Sequence, residues 1–275
     1  MKHDLSADAA IIFGSGLAVV PAGAEVVKRV PYADLGWPVS TVAGHAGELL
    51  LARLGERRLL LACGRSHLYE GCSTAELSAA VDSFAAWGVK RLVLINAAGG
   101  LVLEAVAGSV VVADSVVDLQ SAPRCEAEVL PVCSEQRAEA VRAAVGGCSA
   151  TMPATQGALA MPGTSATQAA PAAPGISAMV GRYVAVPGPQ YETPAEAAWL
   201  ASFGAAVGMS TAPEVRAAGK HGLDTILLAC VVNRSSAVAV HDEVLVAGAQ
   251  LTAGLQACLP AVLGAAWPAV FGPAA

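Results

Sequence analysis

RLVLINAAGG, residues 91–100, is the stretch whose reading decides the fold: an apolar run stops without transition at small residues and glycine. A short continuous apolar run suits a strand covered on both faces, because its side chains do not alternate with polar ones. The pattern recurs. AAIIF (9–13) stops at GSGL, RLLLAC (58–63) at GRSH, YVAV (183–186) at PGPQYE, AAVGM (205–209) at STAPE and TILLACVV (225–232) at NRSS. Between these runs lie TAELSAAVDSFAAWGV (74–89), SEQRAEAVRAAV (134–145), TPAEAAWLASFG (193–204) and APEVRAAGKHG (212–222), with helical spacing, Ser, Thr or Pro starts and Gly stops. Strands alternating with helices predict an α/β fold with a mostly parallel sheet. Ligands bind such sheets at the carboxyl ends of the strands, where the polar motifs of this chain fall.

The composition bounds what those motifs can do. The 275 residues are 55% hydrophobic and only 4% aromatic, with 28 Gly and 16 Pro, as expected of a globular chain with a large aliphatic core. Net charge is −6 and no basic run appears, which argues against nucleic acid as a partner. The cysteines, at 63, 72, 125, 133, 148, 230 and 258, are odd in number and form no Cys-x-x-Cys pair, so reduced thiols in the cytoplasm are expected. MKHDLSADAAIIF is too short and too acidic before its apolar run to read as a secretory signal. Residues 143–181 and 244–275 carry no charge, but Gly, Pro, Ser and Thr punctuate the first and Pro260, Pro268, Gln250 and Gln256 the second. A core-packed C-terminal helix with a tail is expected there, and no membrane span. No repeat is evident, 149–175 reads as a long Ala/Pro/Thr/Ser-rich surface loop, and one domain over 1–275 is the organisation predicted.

Each strand end carries a motif. GSGL (14–17) can wrap an anion with backbone N–H groups and the Ser15 hydroxyl, although it is equally an ordinary tight turn, and it is neither G-x-G-x-x-G nor a Walker loop. GHAG (44–47) sets His45 between glycines. GRSHLYEG (64–71) offers Arg65 as a planar fork of donors, His67 two residues on and Tyr69 after it; in an extended segment the three project to one side and Glu70 to the other. NAAGG (96–100) permits close backbone approach. PGPQYETPAE (187–196) presents Tyr191 and Glu192, an aromatic to lie on a flat ring and a carboxylate to accept a ring N–H, while Thr193 and Glu196 have the spacing of a capping box. VGMSTAPE (207–214) gives Met209 as a soft surface and Ser210 as a hydroxyl beside a helix start, and NRSSAVAVHDEV (233–244) gives Asn233, which can donate and accept at once, and His241 before the last helix.

In this order, GSGL, STVAGHAGELL, GRSHLYEG, NAAGG, PGPQYETPAE, VGMSTAPEV and the Asn233 and His241 pair resemble the trimeric purine nucleoside phosphorylase family over about 10–120 and 180–258. The resemblance implies a single-domain, three-layer αβα fold around a mixed, mostly parallel twisted sheet. It implies a homotrimer that takes a purine nucleoside and inorganic phosphate as co-substrate, with no metal or organic cofactor. It implies a phosphate site of Ser15, Arg65, His67, the Ala97 backbone and Ser210, with His45 nearby. Tyr69 and Met209 would face the ribose, His241 would bond its 5′-hydroxyl, and Val207 would be among the nucleoside-binding residues. Tyr191 would lie on base or sugar, and Glu192 and Asn233 would read the purine edge. Asn233, Glu192, His67 and His241 are the residues on which catalysis would depend. In the family an Asn at this place goes with 6-oxopurines and an Asp with 6-aminopurines.

The chain departs from the family in three places. Ser66 stands where a Phe is usual, ADSVVDLQS (113–121) stands where an Asp-His-Ile-Asn type of segment is usual, and residues 85–202 contain no Phe to donate to a neighbouring subunit's pocket. Other readings stay open at this level. They are a purine- and phosphate-binding homologue without turnover, a methylthioadenosine-type phosphorylase, a dinucleotide-binding Rossmann protein, and the six-subunit relatives that handle uridine or adenosine.

Overall fold

In the computed structural model the described residues are 5–120, 127–148, 176–235 and 241–272, with the backbone alone for 241–247 and 249–250. The 149–175 loop, Ser121 and Cys125 lie outside them.

The apolar runs form strands. They are β1 (Ala9–Phe13), β2 (Ala24–Pro31), β3 (Glu48–Leu54), β4 (Arg57–Cys63), β5 (Arg91–Gly100), β6 (Val110–Asp118), β7 (Glu128–Pro131), β8 (Ala178–Ala185), β9 (Ala206–Gly208) and β10 (Asp224–Arg234). The helices are α1 (Tyr32–Leu35), α2 (Thr74–Ala86), α3 (Glu135–Gly147), α4 (Pro194–Leu200), α5 (Ala212–Lys220), α6 (His241–Ala266) and α7 (Pro268–Phe271), with a short 3₁₀ turn at Leu68–Glu70.

Burial on both faces explains why the strand runs are uniformly apolar. Along β1, Ala10 and Ile12 join a core with Val81 and Phe84 of α2 and Val215 of α5. Ala9, Ile11 and Phe13 join the opposite core with Val141 of α3 and Leu255, Leu259 and Val262 of α6. β4 and β5 divide their side chains between the same two cores. This is the three-layer αβα arrangement, and the period of two along each strand builds it. The C-terminal helix packs in the core as expected, and no helix among the described residues is long and apolar enough to cross a membrane.

All ten strands belong to one mixed sheet. β1 lies parallel between β4 and β5, and β5 lies parallel to β10. β2, β3 and β4 form an antiparallel meander on one side. On the other side the sheet closes on itself: β10 pairs with β6, β6 with β8, β8 with β9, and β9 returns to the end of β5. The last residue of NAAGG must be glycine for the chain leaving β5 to fold back on it, since a Cβ at Gly100 would sit 1.9 Å from the Ala105 carbonyl oxygen. The parallel strands β1, β4, β5 and β10 therefore end at one edge, where the motifs of the sequence converge.

Candidate active site

The turn after β1 is pinned first. The Gly14 amide donates to the Ile95 carbonyl at 2.8 Å and the Gly16 amide to the Gly44 carbonyl at 3.1 Å, which brings GSGL against GHAG. Ser15 Oγ then lies 2.8 Å from His45 Nε2. The other ring nitrogen, Nδ1, accepts the Arg65 backbone N–H at 3.0 Å. A nitrogen that accepts carries no proton, so His45 is the neutral tautomer protonated on Nε2. Its Nε2–H is given to Ser15 Oγ, which leaves the serine hydrogen available to an anion. Burial, reinforced by His67 and Arg65, lowers the His45 pKa to about 4, in keeping with that tautomer. This packing requires glycine at 64: its φ is +114°, and a Cβ there would meet His45 Cβ at 2.8 Å.

Arg65 is the buried cation of the site, and it differs from the open fork that the sequence suggests. Nη2 donates to the carbonyls of Ile12 (3.0 Å) and Ile95 (2.7 Å). Nη1 donates to Thr211 Oγ1 (2.9 Å), Ser210 Oγ (3.3 Å) and Glu214 Oε2 (3.3 Å). Only Nε–H has no partner among the described residues. The guanidinium thus acts chiefly as a fixed charge and a brace for Ser210, with one N–H left to offer an oxyanion. Glu214 is fully buried, and burial raises its pKa while Arg65 opposes the shift.

Ser210 and Thr211 precede α5. Thr211 is fully buried with φ +83°, a backbone region that non-glycine residues seldom occupy. Its Oγ1 accepts from Arg65 and from Asn96 Nδ2 (2.8 Å), two buried donors that hold the strained turn. Such a conformation costs on the order of 1–3 kcal/mol and persists where the surroundings over-determine it.

His67 is set by Glu70. Both its amide (2.8 Å) and its Nδ1 (2.9 Å) reach Glu70 Oε1, while the other carboxylate oxygen takes the Thr41 amide at 2.9 Å. Burial raises the Glu70 pKa, but the hydrogen bonds from His67, Thr41 and Ser40 outweigh it and the net shift is downward. Burial, with Arg65 nearby, lowers that of His67 against the Glu70 bond. A neutral His67 that donates from Nδ1 has Nε2 as an acceptor, which suits an anion that still carries a proton. Glu70 therefore does not point away from the motif, because Leu68–Glu70 coil into a 3₁₀ turn where an extended segment was expected. The turn keeps Tyr69 with its companion: its ring stacks on His67 at 4.8 Å and 12°.

The remaining predicted residues spread toward the other end of the site. Gly188 sits between Tyr69 and Met209, since a Cβ there would meet Met209 Sδ at 2.5 Å and Tyr69 Cδ1 at 2.9 Å. Tyr191 is 64% exposed. Glu192 Oε2 accepts the Ser235 hydroxyl. Asn233 pairs with Gly99 just after a bulge in β10, and its Nδ2 lies 3.3 Å from the Arg234 carbonyl. Ala97 is half-buried at the end of β5. Val207 is 1% exposed and packs with Val117, Leu119, Val184 and Leu200. α6 starts at His241, whose side chain lies outside the described residues. Asn96, Thr211, Glu214 and Ser235 were not singled out from the sequence. The polar ending of a buried run at Asn96 was the one available signal. Ser66 is buried and faces the Cys72 thiol beside a small cavity also lined by Leu77, Gln120 and Pro213.

The edge thus brings together a buried hydrogen-bonded cluster of Ser15, His45, Arg65, His67 and Ser210 and, elsewhere on it, the Glu192 carboxylate and the Asn233 amide. Residues 8–263 match the sequence model of the phosphorylase superfamily. Purine nucleoside phosphorylase 1 of Bacillus subtilis (strain 168) is 31% identical over 259 residues, covering 92% of this chain and 90% of that protein. Purine nucleoside phosphorylase of Mycobacterium tuberculosis is 33% identical, covering 93% and 88%. Among solved structures, a Schistosoma purine nucleoside phosphorylase in complex with hypoxanthine superposes with a TM-score of 0.71 at 25% identity, covering 94% of this chain and 90% of that one.

Proposed function

We propose, from the premise that the chain belongs to the phosphorylase superfamily and within it to the purine nucleoside phosphorylases, which are pentosyltransferases, that its substrates are 6-oxopurine nucleosides such as inosine and guanosine. The products are the free base and ribose 1-phosphate, or the deoxyribose ester from deoxynucleosides. The observation that carries the base preference is that Glu192, a carboxylate, is tied through the Ser235 hydroxyl to the strand end that carries Asn233, an amide that both donates and accepts. The 6-oxopurine edge has an N1–H for the carboxylate, and its O6 and N7 suit an amide donor. A 6-aminopurine presents a lone pair at N1, which the carboxylate repels.

The reaction balances without an added acid. Phosphate enters as the monohydrogen dianion; one oxygen forms the bond to C1′ as the C1′–N9 bond breaks, and the sugar phosphate leaves as a dianion. The proton released from phosphate is the one that the departing purine needs. Neutral His67, with Nε2 as acceptor, fits the protonated nucleophile, and Ser15, Ser210, Arg65 Nε and the Ala97 amide hold the remaining oxygens. Tyr69 and Met209 border the sugar, with His241 on its 5′-hydroxyl. Proximity and fixed charge then do the work on an oxocarbenium-like state. The reading calls for inorganic phosphate as co-substrate and for no metal or organic cofactor, in a cytoplasmic homotrimer.

The test is a nucleoside panel with and without phosphate. Inosine and guanosine should exceed adenosine and methylthioadenosine in kcat/KM, and Asn233→Asp should reverse part of that preference by roughly 10–100-fold, the cost of one mispaired buried group. Better turnover of a 6-aminopurine by the native enzyme would overturn the base assignment. No phosphorolysis of any purine would favour a binding homologue.

A further inference from the structure

Glu192 lies on the segment between β8 and α4, outside regular structure, yet its carboxylate has a dedicated partner. That partner is Ser235, just past the end of β10, two residues after Asn233. Ser235 is 3% exposed, and its amide donates to the Gly100 carbonyl at 3.0 Å. β5 packs closely on it through glycine, since a Cβ at Gly99 would sit 3.1 Å from Ser235 Cβ. The serine is therefore fixed by its backbone, and its hydroxyl hydrogen goes to Glu192 Oε2.

We infer that Ser235 is a positioning residue for base selection: it holds one oxygen of Glu192 so that the carboxylate turns its other oxygen to the purine N1–H. This rests on the reading of Glu192 as the residue that meets the base. A carboxylate on a partly exposed segment would otherwise rotate freely and pay that entropy on binding. Anchored to β10, it moves with Asn233, so both base-reading groups share one strand end. The anchor also sharpens rejection: a fixed anion opposite the N1 lone pair of a 6-aminopurine cannot swing aside.

The experiment compares Ser235→Ala, Ser235→Thr, Glu192→Ala and the double variant Ser235→Ala/Glu192→Ala. Hypoxanthine affinity is read by calorimetry, and KM for inosine and for phosphate by phosphorolysis. Ser235→Ala should weaken hypoxanthine binding and raise the inosine KM about tenfold, the worth of one charge-assisted hydrogen bond, with phosphate KM unchanged. It should also narrow the preference for inosine over adenosine. Ser235→Thr should restore both. In the Glu192→Ala background Ser235→Ala should add nothing further, an outcome that a merely structural role would not give. If Glu192→Ala weakens hypoxanthine binding and Ser235→Ala does not, the role of Ser235 is overturned and the base reading stands. If Glu192→Ala leaves hypoxanthine binding unchanged, the reading of Glu192 falls, and the role of Ser235 with it.

Discussion

The two ends of the site are built in opposite ways. At the end proposed for the anion, Ser15, His45, Arg65, His67, Ser210 and Thr211 are joined by hydrogen bonds to one another, to strand carbonyls and to Glu70 and Glu214. At the end proposed for the base, Glu192 has the Ser235 hydroxyl, Asn233 has a 3.3 Å contact to its own neighbour, and Tyr191 stands in solvent. On the proposed function, the difference follows from what each end would bind. A small, doubly charged anion loses most of its hydration on entry, so its donors must be in place beforehand, fixed in a buried site where they act strongly. A flat, neutral base can be read by a few groups on loops that tighten around it. Selectivity can therefore change at the base end with little effect on folding, whereas the anion end is welded to the core.

The sharpest way to break that comparison is at Arg65. Arg65→Met leaves Glu214 buried without its cation, at a cost of about 3–5 kcal/mol. It should also remove phosphorolysis by roughly 10²–10³-fold or more, as for other donors to developing charge. The double variant Arg65→Met/Glu214→Met should regain much of the stability, because a buried pair replaced by apolar groups is often neutral. Activity should stay lost. Thermal melts beside inosine phosphorolysis separate the two roles, and a double variant that turned over at the native rate would show that the guanidinium is structural only.

His45 offers a smaller effect with a defined pH window. Its pKa falls from 6.5 to about 4 on folding, so between those values the unfolded chain holds a proton that the folded chain does not. Its contribution is complete above pH 6.5 and is lost as pH falls toward 4, a change of about 3 kcal/mol. His45→Leu should flatten this part of the Tm–pH curve relative to the native enzyme and raise the phosphate KM about tenfold, since Ser15 loses its partner. His45→Gln, which can accept at one end and donate at the other, should flatten the curve yet keep a phosphate KM near the native value. Equal pH slopes in the native and Leu proteins would remove His45 from the acid transition.

The same contrast governs how much of the molecule is legible in the sequence. Strands buried on two faces announce themselves, so RLVLIN and its counterparts locate the sheet edge and the motifs on it. The ring closure through β9 does not, because two residues pairing with a glycine pair carry no periodic signal. Arg65, His67 and Tyr69 are readable as a group from their spacing, but the 3₁₀ turn that turns Glu70 back to His67 is set by contacts with Ser40 and Thr41, about 30 residues away. Thr211 is unreadable in principle. A threonine at φ +83° runs against its own local preference and is held there by Arg65 and Asn96, which are distant in the chain. Ser235 and Glu192 are likewise joined only by the fold.

The smallest predicted effect tests whether the base end is as loosely tied as it looks. Thr193 caps α4: its hydroxyl and amide both donate to Glu196 Oε2 at 2.8 Å, and the Glu196 amide returns to Thr193 Oγ1 at 3.3 Å. This box lies one residue beyond Glu192, so it sets where the chain stops being free. Thr193→Ala should cost about 1 kcal/mol, the usual worth of an N-cap. If Glu192 is steered mainly by Ser235, that slackening reaches the base weakly, and the inosine KM should rise by no more than about threefold, while phosphate KM stays fixed. A rise matching that of Ser235→Ala would mean that the helix start, and not the end of β10, orients the carboxylate. The base end would then be preorganised through its own local structure, and the contrast with the anion end would narrow to a difference in burial alone.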